Sequence, residues 1–234
     1  MRINEWFVPK FGPTRFRLMV GLLFLPYTGM CVSFTLIGAM LAPAILWDRT
    51  LGIAVIYFLG VGISAHALDS LGSKGVRPWG SFISTNKLWI LSLVTLAPVF
   101  ALGIYYSILV PLLLVLAIAE GFFLFAYNLE LFNGRFHTDL WFAVSWGSLP
   151  LLAGYVIQTG TITSISLIGA GVTGIISYIH IKTSRPYKEL RRSQGSSRLE
   201  VVEKMRVLER TLKVVSLGTI SSAVMFLIVR GTFL

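Results

Sequence analysis

Side chains able to do chemistry are scarce in this chain of 234 residues, which holds ten acids, three histidines and one cysteine. Three short stretches gather all the histidines together with polar and charged neighbours. The first holds His66 and Asp69, three residues apart and so able to share one face of a helix. The second runs through Tyr127, Asn128, Glu130, Arg135, His137 and Asp139, and the third holds His180, Lys182 and Arg185. Carboxylates supply the oxygen ligands that hard divalent cations such as Mg2+ require. His66, Asp69, Glu130, His137, Asp139 and His180 could instead form a transition-metal site, although their spacing matches no specific metal motif. Lys182 and Arg185 are suited to pairing directly with phosphate or diphosphate oxygens; the other reading makes them cytoplasmic anchors. Asp69 is either a ligand or an interfacial acid paired with Lys74 or Arg77. Tyr127 is either a pocket residue or an interfacial aromatic. Glu120 stands apart, about two turns inside an apolar run, where an ionisable group should face a bundle interior and have a partner.

The elements that position these residues follow from composition. Hydrophobic residues make up 55% of the chain and charged residues 13%, with a mean hydropathy of +0.79. A soluble domain carries about 25% charged residues, so these charges could not cover one. The expectation is an all-α polytopic membrane protein of about seven spans, near 18–42, 51–69, 87–105, 108–127, 140–157, 162–181 and 212–229, each close to the roughly 20 residues a bilayer needs. The first span is too long for a cleavable signal peptide. Of the twenty Lys and Arg, all but Arg49 and Arg230 fall on one side of this arrangement. The positive-inside rule then places the N-terminus in the cytoplasm and the C-terminus outside. The net charge of +10 therefore reads as cytoplasmic loops facing anionic lipid, and no nucleic-acid partner is expected. Cys31 alone excludes an intrachain disulfide.

One integral membrane domain is expected over 1–234, with a basic arm at 1–17 and a basic cytoplasmic loop at 182–211. Ser193–Ser197 breaks that loop, and Ser197 with Glu200 forms a capping box. Leu199, Val202, Met205, Leu208 and Leu212 then recur at helical spacing, as in a basic amphipathic helix that lies on the membrane surface and runs into the last span, or in a solvated connector. No inverted repeat of the transporter type is visible. All three polar stretches lie on the cytoplasmic side, which is the expected working face.

Ala65-His66-Ala67-Leu68-Asp69, followed by Arg77-Pro78-Trp79-Gly80-Ser81-Phe82-Ile83-Ser84, resembles the UbiA-type membrane prenyltransferases. In that family an Asn-Asp-x-x-Asp motif ends the second helix and an Arg-Pro turn precedes the third. Phe125-Ala126-Tyr127-Asn128, Gly134-Arg135-Phe136-His137-Thr138-Asp139 and Trp146-Gly147-Ser148-Leu149-Pro150 resemble its quinone-pathway members. The sixth span ends where the family places a second acidic motif. The resemblance implies an intramembrane prenyltransferase that moves an isoprenyl group from its diphosphate to a quinone-precursor or lipid acceptor, with Mg2+ as cofactor. It implies Asp69 as catalytic residue and metal ligand, and His66, Arg77, Tyr127, Asn128, Arg135, Asp139, Lys182 and Arg185 as substrate-binding residues. Partners would be membrane lipids and an isoprenyl diphosphate or quinone-like lipid, in the cytoplasmic membrane of a prokaryote.

The departures shape the expectation. The family has nine helices against seven here. Of the first motif only Asp69 remains, with Ala65 and His66 at the Asn-Asp positions. The second motif has no aspartate, and His180, Lys182 and Arg185 stand in its region. Mg2+ would bind poorly to such a site, so either no activity or weakly Mg2+-dependent activity is expected. The alternative is a non-catalytic relative that binds lipid or quinone, or a structural subunit of a larger membrane complex.

Overall fold

Long apolar runs leave the backbone no water to bond in a bilayer, so helices that satisfy their own backbone are the available solution. In a computed structural model, which describes residues 5–73, 83–192 and 199–232, these runs are helical and no strand occurs among the described residues. The helices are α1 (Thr14–Met40), α2 (Trp47–Gly72), α3 (Thr85–Leu109), α4 (Leu112–Asn128), α5 (Asp139–Thr159), α6 (Ser164–Arg192) and α7 (Leu199–Thr232). All but α4 are long and apolar enough to cross a membrane. At 17 residues, α4 is about 26 Å long, slightly short of the bilayer's hydrocarbon core. The chain is an integral membrane protein.

The order of helices matches the expectation, but several ends move. α6 continues to Arg192 instead of stopping near 181, so Lys182 and Arg185 stand on a helix and not in a loop. Pro186 does not end it. The carbonyl that Pro186 leaves unpaired belongs to Lys182, an exposed residue whose backbone water can reach. α7 runs without interruption from Leu199 to Thr232. The amphipathic stretch runs into the last spanning helix as one unbroken element, because no proline intervenes and each residue extends the same hydrogen-bonded ladder. Ser197 of the expected capping box lies outside the described residues. Arg15 and Arg17, read as part of the basic arm, already belong to α1, and Arg17 Nε donates to the Pro9 carbonyl at 2.7 Å.

Three spans are interrupted. α1 breaks at Phe24, which adopts a left-handed conformation (φ 45°). Pro26 cannot donate to the preceding turn; Tyr27 N donates to the Phe24 carbonyl, and the Thr28 hydroxyl takes the Leu23 carbonyl at 2.6 Å. α2 contains a π-helical turn over Gly60–Ala65, and α5 contains another over Val144–Ser148. Pro150 removes the donor that would bond the Trp146 carbonyl in a regular helix. The Ser177 hydroxyl of α6 supplies a substitute at 3.4 Å, and Thr173 Oγ1 bonds the Gly147 carbonyl at 2.9 Å.

α1 packs between α5 and α7, and α6 lies against α5 and α7; α2 packs on α1 and α3. At Gly154 a Cβ would run into the Thr35 carbonyl, so α1 and α5 meet backbone to backbone as small residues allow in membrane bundles. α3 and α7 are only 22% buried over their most apolar stretches and give most of their surface to lipid. At one end of the bundle Arg49 bonds the Ile157 carbonyl at 2.9 Å and Arg230 the Ala42 carbonyl at 2.6 Å. The three polar stretches lie at the other end.

Candidate functional site

α1 and α5 begin, and α2, α4 and α6 end, around a polar cavity of about 400 Å³. Each interruption of a span serves this end. The left-handed turn at Phe24 turns its ring onto Phe7, Tyr27 and His66, with centroids 4.6, 4.4 and 5.3 Å away. A π turn inserts one residue and rotates the rest of the span by about 100° relative to a regular helix. The turn at Gly60–Ala65 thereby sets the facing of His66 and Asp69, and the one at Val144–Ser148 carries Trp146. His66 and Trp146 approach to 5.5 Å between rings.

The ends of α2 and α4 are locked by a close approach. A Cβ on Gly72 would strike the Asn128 carbonyl and lie 2.6 Å from Leu129 Cα. No other residue fits there. This contact holds Asp69, one turn back on α2, beside Tyr127 and Asn128 at the end of α4; all three line the cavity. Asn128 is buried, and its Nδ2 donates to the Leu124 carbonyl at 2.8 Å. The Asp69 carboxylate has no ion pair among the described residues. The expected pairings with Lys74 and Arg77 lie outside the described residues.

One face of α6 closes the cavity: Ile181, Arg185, Lys188, Glu189 and Arg192 line it at helical spacing. Arg185 is anchored from two sides, its Nη2 donating to the His137 carbonyl at 3.2 Å and its Nε pairing with Asp139 Oδ1 at 2.9 Å. Lys182 Nζ pairs with Asp139 Oδ2 at 3.2 Å. His137 Nδ1 lies 3.0 Å from the Tyr127 carbonyl, and its ring stacks on Tyr127 at 4.4 Å. Lys188 Nζ lies over Phe24 and Tyr27, 5.2 and 5.3 Å from the ring centroids, and the Tyr27 hydroxyl bonds Ser184.

Of the residues expected at the site, His66, Asp69, Tyr127, Asn128 and Arg185 line one cavity. Asp139 and Lys182 stand at its edge, joined to it through Arg185. Arg135 is exposed and does not line this cavity. The turn that carries it is built from left-handed residues, Glu130, Phe132 and Asn133 at φ 50°, 55° and 58°, and these direct Arg135 outward. Arg77 lies outside the described residues. Sequence reasoning missed Phe24, Tyr27, Phe142, Trp146 and Lys188. For Lys188 the signal was present in the spacing 181, 185, 188, 192, once α6 is allowed to pass Pro186.

Among the described residues, no group of three or more His, Cys, Asp or Glu side chains is placed to hold a metal ion. Asp139 faces two cations, and His180 is buried against the Tyr27 ring at 4.3 Å. This donor set does not fit the pair of Mg2+ ions that the family resemblance implies, nor the transition-metal alternative. The lining instead sets three cations, Arg185, Lys188 and Arg192, among three carboxylates, Asp69, Glu130 and Glu189.

A second cavity, of about 620 Å³, adjoins the first. It lies among α2, α3, α4 and α5, and its walls are hydrocarbon except for Glu120, Tyr57, Ser107 and a few hydroxyl and amide groups nearer the polar end. Ile104, Leu114, Ile118 and Phe122 of its lining are exposed on the outer surface of the bundle, so it opens towards lipid. Asn128 and Trp146 line both cavities. The two spaces therefore lie on either side of this pair, one polar with charges of both signs at the bundle end and one apolar at membrane depth. No family model, curated protein or solved structure matches the chain.

Proposed function

We propose that the protein is a UbiA-like prenyltransferase that takes an isoprenyl diphosphate from the membrane and passes its prenyl group to a lipophilic acceptor, a quinone precursor or lipid. The observation that carries this reading is the wall that the two cavities share at Asn128 and Trp146. A polar, aromatic-lined cavity with Arg185, Lys188 and Arg192 on one helix face suits a diphosphate and its first carbons, and a lipid-open apolar cavity suits the chain. In this reading Arg185, Lys188 and Arg192 meet the charge of the diphosphate in place of divalent ions, with guanidinium forks matching phosphate oxygens. The allylic C1–O bond breaks with its electron pair leaving on the diphosphate. The rings of Phe24, Tyr27, Phe142 and Trp146 then face the allylic cation, as aromatic faces favour cations. The acceptor's nucleophilic atom bonds C1, and its proton passes to Asp69. Lysine and arginine polarise the leaving oxygen less than a divalent ion does, so turnover is slow and insensitive to chelation.

The test is a prenyl-transfer assay with farnesyl and geranylgeranyl diphosphates, with and without chelator, on wild type and Asp69→Asn. Product that survives chelation and is nearly abolished in Asp69→Asn is expected. Strictly Mg2+-dependent turnover overturns the cationic scheme. A second reading, a non-catalytic lipid- or quinone-binding subunit, is favoured by the absence of a metal-ligand group among the described residues. Silence with every donor, together with a prenyl lipid recovered by mass spectrometry, decides for it.

Orientation belongs to the same proposal. The polar cavity faces the cytoplasm of a prokaryotic cell, with the N-terminus inside and the C-terminus outside, because Arg49 and Arg230 are the only cations outside the other group and the richer side stays in. Reporter fusions after Arg198 and after Leu234 are expected to report opposite compartments. If both report the cytoplasm, this orientation is wrong.

A further inference from the structure

Glu120 is the one carboxyl in the lining of the apolar cavity, and nothing in the proposed reaction uses it. Its Oε1 accepts a hydrogen bond from the Tyr57 hydroxyl at 2.7 Å. Its Oε2 has no protein partner among the described residues. Ser107, lining the same cavity, has a buried hydroxyl with no hydrogen-bond partner among the described residues. A carboxyl set against hydrocarbon with one hydrogen bond is costly. A plain prenyl chain beside it would remove water without replacing the missing bond. A chain that carries a donor would supply that bond.

We propose that Glu120, held by Tyr57, is a specificity-determining group that reads a hydroxyl or amine on the apolar body of the ligand in this cavity. The proposal rests on reading the cavity as a ligand chamber and adds the chemical class of what enters it. Geometry also sets the distance. Glu120 lies eight residues from Asn128 on α4, about 12 Å along the helix axis, so the donor group stands about that far from the end of the ligand at Asn128. The ligand is thus polar at two points, separated by roughly the length of a ten-carbon chain.

The test uses neutral probes, so that it does not depend on phosphate recognition. Binding of 1,10-decanediol and of 1-decanol to the purified protein in nanodiscs is read from Trp fluorescence. The Glu120→Leu variant corrects for partition into lipid. Wild type is expected to favour the diol over the mono-alcohol by about 10-fold or more, Glu120→Leu to lose that preference, and Glu120→Gln, which still accepts a hydrogen bond, to keep most of it. Equal binding of the two probes by wild type overturns the proposal and leaves the Tyr57–Glu120 bond as a tie between α2 and α4. Failure of both probes to bind overturns it as well. Partition of each probe into empty nanodiscs gives the same correction, so the wild-type comparison stands even if Glu120→Leu does not fold. Arg185-dependent binding of farnesyl diphosphate, measured on the same preparation, separates failure of this inference from failure of the phosphate site.

Discussion

Arg185→Gln is expected to weaken binding of geranylgeranyl diphosphate by about 10- to 100-fold, the cost of about 1.5–3 kcal/mol for losing hydrogen bonds between charged groups. The side chain is fixed before any ligand arrives, by Asp139 at 2.9 Å and the His137 carbonyl at 3.2 Å. Of the five donors of a guanidinium, those not engaged there remain for the ligand, and little rotamer freedom is lost when they bind it. Arg185→Lys keeps the charge but loses the fork and is expected to recover only part of the affinity. Asp139→Asn breaks the same ion pairs from the other side and leaves both cations in place. It is expected to keep affinity within about 3-fold or to raise it, since a competing carboxylate is gone. Equilibrium binding of radiolabelled geranylgeranyl diphosphate reads all three. Equal losses in Arg185→Gln and Asp139→Asn would make Arg185 a tie between α5 and α6 and not a ligand-binding residue.

Gly72→Val is expected to abolish binding and to lower thermal stability. Gly72 meets the Asn128 carbonyl and Leu129 where its own Cβ would be, and backbone atoms there cannot rotate away as a side chain could. Overpacking of this kind costs about 1–3 kcal/mol, and here it forces apart the helix ends that carry Asp69, Tyr127 and Asn128. The same change at Gly171 or Gly218, where a Cβ meets nothing within 4 Å, is expected to be silent. Melting in detergent and diphosphate binding distinguish the positions. A Gly72→Val protein that binds like wild type would show that the α2–α4 contact does not position the site.

Much of the bundle was legible because spanning helices are written in long apolar runs, and seven runs became seven helices. The ends were not, because hydropathy ends where the bilayer ends while hydrogen bonding does not. Stopping the sixth span near 181 made Lys182 and Arg185 loop residues and hid the face formed by Ile181, Arg185, Lys188 and Arg192. The π turns were invisible for a different reason. Gly60, Gly62 and Ser64, or Gly147, Ser148 and Pro150, read as ordinary small packing residues, and only the partner hydroxyls of Thr173 and Ser177 reveal that the ladder has shifted. That shift sets where His66 and Trp146 point. The grouping of His66, Asp69, Tyr127, Asn128 and Arg185 was legible from their common place at helix ends. Arg135 shared that place but not the direction, since the left-handed turn at Glu130, Phe132 and Asn133 is a matter of local backbone that residue type does not announce.

In the proposed function the polar cavity and the apolar cavity hold one amphiphile across Asn128 and Trp146. A prenyl diphosphate carrying a photoreactive benzophenone at the far end of its chain tests this most directly. After irradiation in the presence of chelator, the cross-link is expected in peptides lining the apolar cavity, around Leu113–Ala117 of α4 or Val99–Gly103 of α3. It is expected to disappear with excess geranylgeranyl diphosphate and in Arg185→Gln. Cross-links confined to the lipid-facing surface of α7, or cross-links that excess ligand does not displace, would contradict a shared amphiphile.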